Sequence, residues 1–252
     1  MEFPLYELPL KNRIHELMKE WKTYCDAKPE WKGKFVSDGF FPYYTELDDN
    51  GQNVRVLFIG RESYGLSEED YIESYNGMKT ANFHNRLLYL AYGIIHGQYT
   101  ENDWINMDEA TVLDKIFAEP KCKGGFSYAF MNASKISNET DNPALDETQF
   151  ENFIRDKKNL DYMASEIQLL TPDIIVSANL GDLGFFKYFE NAKKSENSSD
   201  HTKNRCVYHL KVGSKDIPWV DGWHFSAYKR TYESFYSPIC SIAKDLLNKK
   251  QS

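Results

Sequence analysis

Three polar residues stand where strands of this 252-residue chain are expected to end: Glu62, Asn132 and His224. Their distance apart in sequence means nothing until a sheet brings strand ends together. A carboxylate, an amide and an imidazole would then share one crevice, pairing charged groups with an amide that both donates and accepts hydrogen bonds. In open α/β sheets, ligands sit just beyond the carboxyl ends of strands.

The strand that must hold the first of them is the run Val54-Arg55-Val56-Leu57-Phe58-Ile59. Five of these six residues are β-branched or large and apolar, which reads as a strand buried on both faces. It stops at Gly60, and Arg61-Glu62-Ser63-Tyr64-Gly65 follows. A second strand is expected from Phe126 to Met131, ending at Asn132, and a third from Asp173 to Ala178. A further strand spans Arg205 to Val212, and a short extended piece runs from Pro218 to Phe225. Helical spacing of apolar residues marks Pro9 to Ala27, 67 to 77, Asn82 to His96, 100 to 118, Glu147 to Leu170, Leu183 to Ala192 and Thr231 to Asn248. Strands alternating with helices predict an α/β fold, a three-layer α/β/α sandwich around a mainly parallel sheet. With no internal repeat and no linker, a single domain over 1–252 is expected, with 1–53 as an N-terminal helical extension and 193–204 as a mobile loop.

Bulk properties narrow the function classes. The net charge is −8, unevenly spread: from Lys187 onward there are 12 Lys and Arg against 7 Asp and Glu, or +5, leaving −13 before it. An acidic chain is not steered to nucleic acid by its overall field, although a local basic surface in the last quarter is compatible with these numbers. The aromatic content of 15% is rich, and aromatic rings serve both cores and base stacking. Cys25, Cys122, Cys206 and Cys240 are widely separated, which favours reduced thiols over a metal site. The N-terminal residues lack a signal-peptide pattern, and no apolar run approaches the ~18 residues of a membrane span. A soluble, cytoplasmic protein is expected.

Gly60-Arg61-Glu62-Ser63-Tyr64-Gly65 resembles the Gly-Gln-Asp-Pro-Tyr-His loop of the uracil-DNA glycosylase superfamily, also placed directly after a buried strand. Tyr128-Ala129-Phe130-Met131-Asn132-Ala133 is similar to that family's apolar strand ending in Leu-Asn. His224-Phe225-Ser226 resembles its His-Pro-Ser motif, followed by a basic, aromatic loop and a C-terminal helix. The order agrees from about residue 54 to 247.

The resemblance implies a DNA glycosylase that flips a base out of the stack and hydrolyses its N-glycosidic bond, a base-excision repair activity with no metal or redox cofactor. Glu62 would stabilise the sugar cation and orient water, and His224 would stabilise the negative charge of the departing base. Asn132 would read the base edge, Tyr64 would exclude thymine by its bulk, and Phe83 would stack on the base. Gly60, Arg61 and Ser63 would shape the loop. Ser226, Tyr228, Lys229 and Arg230 would contact DNA, single-stranded or damaged, with the protein acting as a monomer away from membranes.

The chain departs from the family at Glu62 for aspartate, Arg61 for glutamine, Ser63 for proline and Phe225 for proline. A catalytically silent nucleobase or nucleic-acid binder, or an enzyme acting on a small nucleoside, stays open beside the glycosylase. Each residue alone also has a plain structural reading. Glu62 could pair with Arg61 or Arg55, Asn132 could cap a turn, and His224 could be a hydrogen-bonded core histidine.

Overall fold

A computed structural model describes residues 2–46, 54–78, 82–96, 127–139, 146–195, 206–225 and 232–251. The helix expected over 100–118 lies outside these residues, as do Cys122, residues 196–204 of the expected loop, and the DNA-contact candidates Ser226, Tyr228, Lys229 and Arg230.

The strands are β1 (Gly39–Phe40), β2 (Val56–Gly60), β3 (Ala129–Asn132), β4 (Ile174–Ala178), β5 (Ala192–Lys194), β6 (Cys206–Val212) and β7 (Lys215–Gly222). They form one mixed sheet in the order β1-β3-β2-β4-β7-β6-β5. The central four, β3-β2-β4-β7, run parallel. Antiparallel strands close both sides, β1 against β3 and the β5-β6-β7 ribbon beyond β7.

All five residues of β2 are buried, as its uninterrupted apolar run requires of a strand covered on both faces. Successive side chains alternate. Leu57 and Ile59 enter a core formed with helices α1 (Leu8–Asp26), α4 (Glu147–Arg155) and α5 (Lys157–Leu170). Val56 and Phe58 enter a second core with helices α2 (Tyr71–Met78), α3 (Asn82–His96) and the C-terminal α6 (Ser237–Gln251). Helices therefore cover both faces of the sheet. Trp21 anchors α1, stacking on Phe153 and Tyr162 while its indole N–H donates to Asn159 Oδ1 at 2.9 Å. A buried indole keeps its donor satisfied in this way.

The structure corrects five sequence expectations. The helix read as Glu147 to Leu170 is two. Asp156 adopts an extended backbone (φ −76°, ψ 109°) and ends α4, and its carboxylate then accepts from the amides of Lys158 and Asn159 to start α5. Aspartate competes with helix propagation by bonding backbone N–H groups locally. Leu183 to Ala192 contains only one 3₁₀ turn, Phe185–Lys187, entered through Gly184 at φ 70°, before β5 begins. Lys193 and Lys194, assigned to the loop, lie in that strand.

The piece expected from Pro218 is the second half of an eight-residue strand paired with β6 through a turn at Gly213 and Ser214. Pro218 is tolerated because the pairing of β7 with β4 starts one residue later, at Trp219 opposite Ile175, so its missing N–H breaks no central ladder. Finally, residues 1–53 are more than a helical extension: Gly39 and Phe40 pair with Phe130 and Ala129 as an edge strand.

No helix among the described residues is long and apolar enough to cross a membrane.

Candidate functional site

Strand β2 has β3 on one side and β4 on the other, so the chain order reverses across it. That is a topological switch point, and crevices open at the carboxyl ends of strands there. The register places Gly60 opposite Asn132 at those ends, with Ser177 opposite Ile59 and Gly222 opposite Ala178. Glu62 lies two residues beyond β2, and His224 two residues beyond β7. The sheet thus delivers Glu62, Asn132 and His224 to one edge.

Gly60 is required by close approach. A Cβ there would stand 2.6 Å from Asn132 Oδ1 and 3.0 Å from the Phe130 ring. The loops after β2 and β3 then continue side by side. Ala133 and Ser134 donate to the carbonyls of Gly60 and Arg61 at 2.9 and 2.8 Å, and Asn138 donates to that of Ser63 at 2.9 Å. Gly65 donates back to Asn138 at 3.1 Å, and Leu66 to Ser137 Oγ at 3.1 Å. This backbone pairing holds the loop along its length without a proline at position 63.

Glu62 Oε1 accepts from Asn138 Nδ2 and from the Asp146 backbone, each at 3.3 Å. Its other oxygen, Oε2, is buried and makes no hydrogen bond; Ser63 Oγ and Asn132 Nδ2 are the same. Buried polar atoms are almost always bonded, so three unbonded ones in one set of paired loops set this edge of the sheet apart. Arg55 pairs with Asp173 rather than with Glu62.

Burial raises the Glu62 carboxyl to about 7, against the pull of its two donors and of the Arg61 guanidinium. Burial, with the charges of Arg61 and Arg86 adding to it, lowers His224 to about 4. The imidazole is therefore neutral at physiological pH, able to donate one hydrogen bond and accept one. Arg61 is itself lowered by burial and feels Glu62 and Glu147.

Phe83, near the start of α3, sets its ring 5.8 Å from the His224 imidazole, 5.9 Å from Phe130 and 5.5 Å from Phe225. It belongs to the wall of the crevice. Tyr64 is 49% exposed, with its backbone bridged to Asn138, so its ring stands at the rim.

Sequence reasoning missed several residues that build the site. Asp38, 3% exposed, accepts from the Asn132 amide at 2.7 Å and pairs with Lys135. Lys135 is wholly buried and also meets Glu166 at 2.9 Å, with its ammonium 5.0 Å from the Trp21 ring centroid. Burial raises both carboxyls, Glu166 well above its ordinary range because the Asp38 charge adds to desolvation. One buried lysine thus faces two buried carboxyl groups.

Asp221, the residue before the end of β7, accepts from Ser177 Oγ, Leu180 N and Gly181 N at 2.5, 2.9 and 2.8 Å, which fixes the loop after β4. A side chain at Gly181 would meet Asp221 Oδ2 at 2.9 Å. Arg86 donates to the Phe225 carbonyl at 2.6 Å. The only sequence signal for Asp38 is an acid inside the aromatic run Phe35 to Phe41.

Among the described residues, no three His, Cys, Asp or Glu side chains are grouped to hold a metal ion. A separate groove of about 590 Å³ lies between the β6–β7 hairpin and α6, toward the amino end of β7, with His209, Lys215, Asp216 and Lys249 on its walls. It is at the far end of β7 from His224.

Known proteins add little. No family model matches the chain, and no curated protein matches it. Among solved structures, a domain of unknown function (DUF1537) from Bordetella bronchiseptica is similar at 9% identity and a TM-score of 0.33. The match covers 77% of this chain and 41% of that one.

Proposed function

We propose that this chain is an N-glycosidase of the uracil-DNA glycosylase type, acting on a base placed at the switch point. The observation that carries the reading is the Gly60–Asn132 register with its buried, unbonded Glu62 Oε2, Ser63 Oγ and Asn132 Nδ2. The order of the three motifs, each closing a parallel strand, supports the likeness to that superfamily.

In this reading Asn132 Nδ2 donates to the base edge while Phe83 and the neutral His224 line its face and rim. The C1′–N bond breaks with its electron pair leaving on the base, and positive charge develops at the sugar. Ionised Glu62 stabilises that charge and orients a water. The water oxygen bonds to C1′, and its proton passes through the carboxylate to solvent or to the released base. His224 donates a hydrogen bond to the base as it departs.

The test is incubation with oligonucleotides containing uracil, hypoxanthine, xanthine or a mismatch, followed by alkaline cleavage of abasic sites. Strand breaks at one of these bases are expected. A chain that leaves every substrate intact has lost this reading.

One observation favours a second reading, a nucleobase binder that does not cleave. A carboxyl near 7 is protonated in about half the molecules at neutral pH, and a carboxylic acid donates a hydrogen bond where a carboxylate only accepts. Binding of the same oligonucleotides that persists without base release would support it.

A further inference from the structure

Glu62 is held by one oxygen only. Its Oε1 accepts from Asn138 Nδ2 and from the Asp146 amide, each at 3.3 Å, while Oε2 is buried and makes no hydrogen bond. An ionised carboxylate can only accept, so the Asn138 amide turns its nitrogen toward it.

Asn138 reaches Glu62 from a fixed base. It is 3% exposed, and its backbone is spent on the loop that carries Glu62: its N–H donates to the Ser63 carbonyl at 2.9 Å, and its carbonyl accepts from Gly65 at 3.1 Å. The residue before it is tied on both sides. Ser137 Oγ accepts from the Leu66 amide at 3.1 Å, and the Ser137 amide donates to the Lys34 carbonyl at 2.9 Å.

The second donor comes from a helix start. Asp146 caps α4, its carboxylate accepting from the Gln149 amide at 2.9 Å. In a capping box, the side chain three residues into the helix returns a bond to the N–H of the cap. Here the Gln149 side chain donates to the Ser137 carbonyl at 3.5 Å instead, and the Asp146 amide goes to Glu62. Both donors therefore meet the same oxygen, which sets the rotation of the carboxylate and leaves the acceptor sites of Oε2 unused.

We propose that Asn138 is the positioning residue of Glu62: it ties Oε1 and leaves Oε2 as the oxygen that meets the attacking water and the sugar. The inference rests on the glycosidase reading and adds to it the reacting atom and the residue that selects it. No bond to Asn138 forms or breaks. As the water oxygen bonds to C1′, its proton passes to Oε2 and the bonding pair leaves on the base.

The charged groups that act on Glu62 are Arg61 beside it and Asp146 at the helix start, and a change at Asn138 leaves both in place. The Asn138 donor favours the ionised carboxylate, so its loss raises the carboxyl above its present position of about 7.

The experiment follows uracil release from a single-stranded oligonucleotide across pH for the intact chain and its Asn138→Leu and Asn138→Asp variants. On the same proteins, NMR follows the titration of the Glu62 carboxyl carbon, identified by its absence in Glu62→Gln. Asn138→Leu should lower kcat by about 10²-fold, the cost of an ångström-scale misplacement, with KM changed little. Its rising limb and its NMR midpoint should both move to higher pH. Asn138→Asp sets a second carboxylate against the first and should move the midpoint further in the same direction.

A midpoint unmoved in both variants assigns Asn138 to structure and overturns the inference, while uracil release by the wild type leaves the glycosidase standing. A wild type that releases no uracil removes that reading and the acting role of Oε2 with it. Should Asn138→Leu fail to fold, Asn138→Asp, which has the same shape and lacks the donor, carries the comparison.

Discussion

Asp38 Oδ2 accepts a 2.7 Å hydrogen bond from the backbone amide of Asn132, so an acid from the N-terminal segment fixes the peptide that ends β3 beside Gly60. The same carboxylate neutralises Lys135, which has no access to solvent. Asp38→Ala strands both the ammonium and the amide. Breaking one partner of a buried pair costs about 3–5 kcal/mol, and chemical denaturation should show a loss of that size. Asp38→Asn keeps an acceptor for Asn132, and Glu166 still faces Lys135 at 2.9 Å, so its loss should be clearly smaller. Equal losses in the two variants would show that the cluster does not work in this way.

Activity should depend on the protonation of Glu62 with a definite sign. Burial raises this carboxyl to about 7, and stabilising a sugar cation requires the ionised form. The rate of base release should therefore rise with pH through about 7 and level off above it. His224 changes charge near 4, where Glu62 is already protonated, and adds no visible limb. A pH–rate profile at saturating substrate checks this; a rate already flat from pH 5 to 8 contradicts it.

Replacing the acting groups should cost turnover far more than binding. His224→Gln and Glu62→Gln should each lower kcat by about 10²–10³-fold, with DNA affinity changed little. Asn132→Asp should instead alter the choice among bases, because an amide donor becomes an acceptor. Single-turnover rates beside fluorescence-anisotropy titrations separate these outcomes.

Gly60→Ala tests the close approach. The added methyl would meet Asn132 Oδ1 at 2.6 Å and the Phe130 ring at 3.0 Å, and β2 has no freedom to retreat inside a sheet covered on both faces. Overpacking of this kind costs about 1–3 kcal/mol, and here it also displaces the amide. Thermal unfolding should show the modest loss, and base release should fall much further than stability.

The sheet was legible in sequence where one force dominated. The apolar runs ending at Gly60, Asn132 and Ala178 had to be buried strands, and all three are in the parallel core. Glu62, Asn132 and His224 could be placed at strand ends for the same reason. Local hydrogen-bond competition was harder to see. Asp156 divides a helix whose apolar periodicity continues straight through it, and Pro218 reads as the start of a strand that begins three residues earlier.

Least visible were partners joined only by the finished fold. Asp38 and Lys135 are 97 residues apart, and each alone looks like a solvated charge. Arg86 reads as the polar face of a helix until the loop after β7 arrives beneath it.

The β6–β7 turn gives the molecule a handle. Gly213 takes φ 60° there, and Val212 opposite Lys215 closes the hairpin at the end of β7 remote from His224. A fluorophore or surface tether attached at Ser214 would leave the crevice facing solution. Whether an oligonucleotide engages the carboxyl edge could then be followed one molecule at a time, with the label and the crevice at opposite ends of one strand.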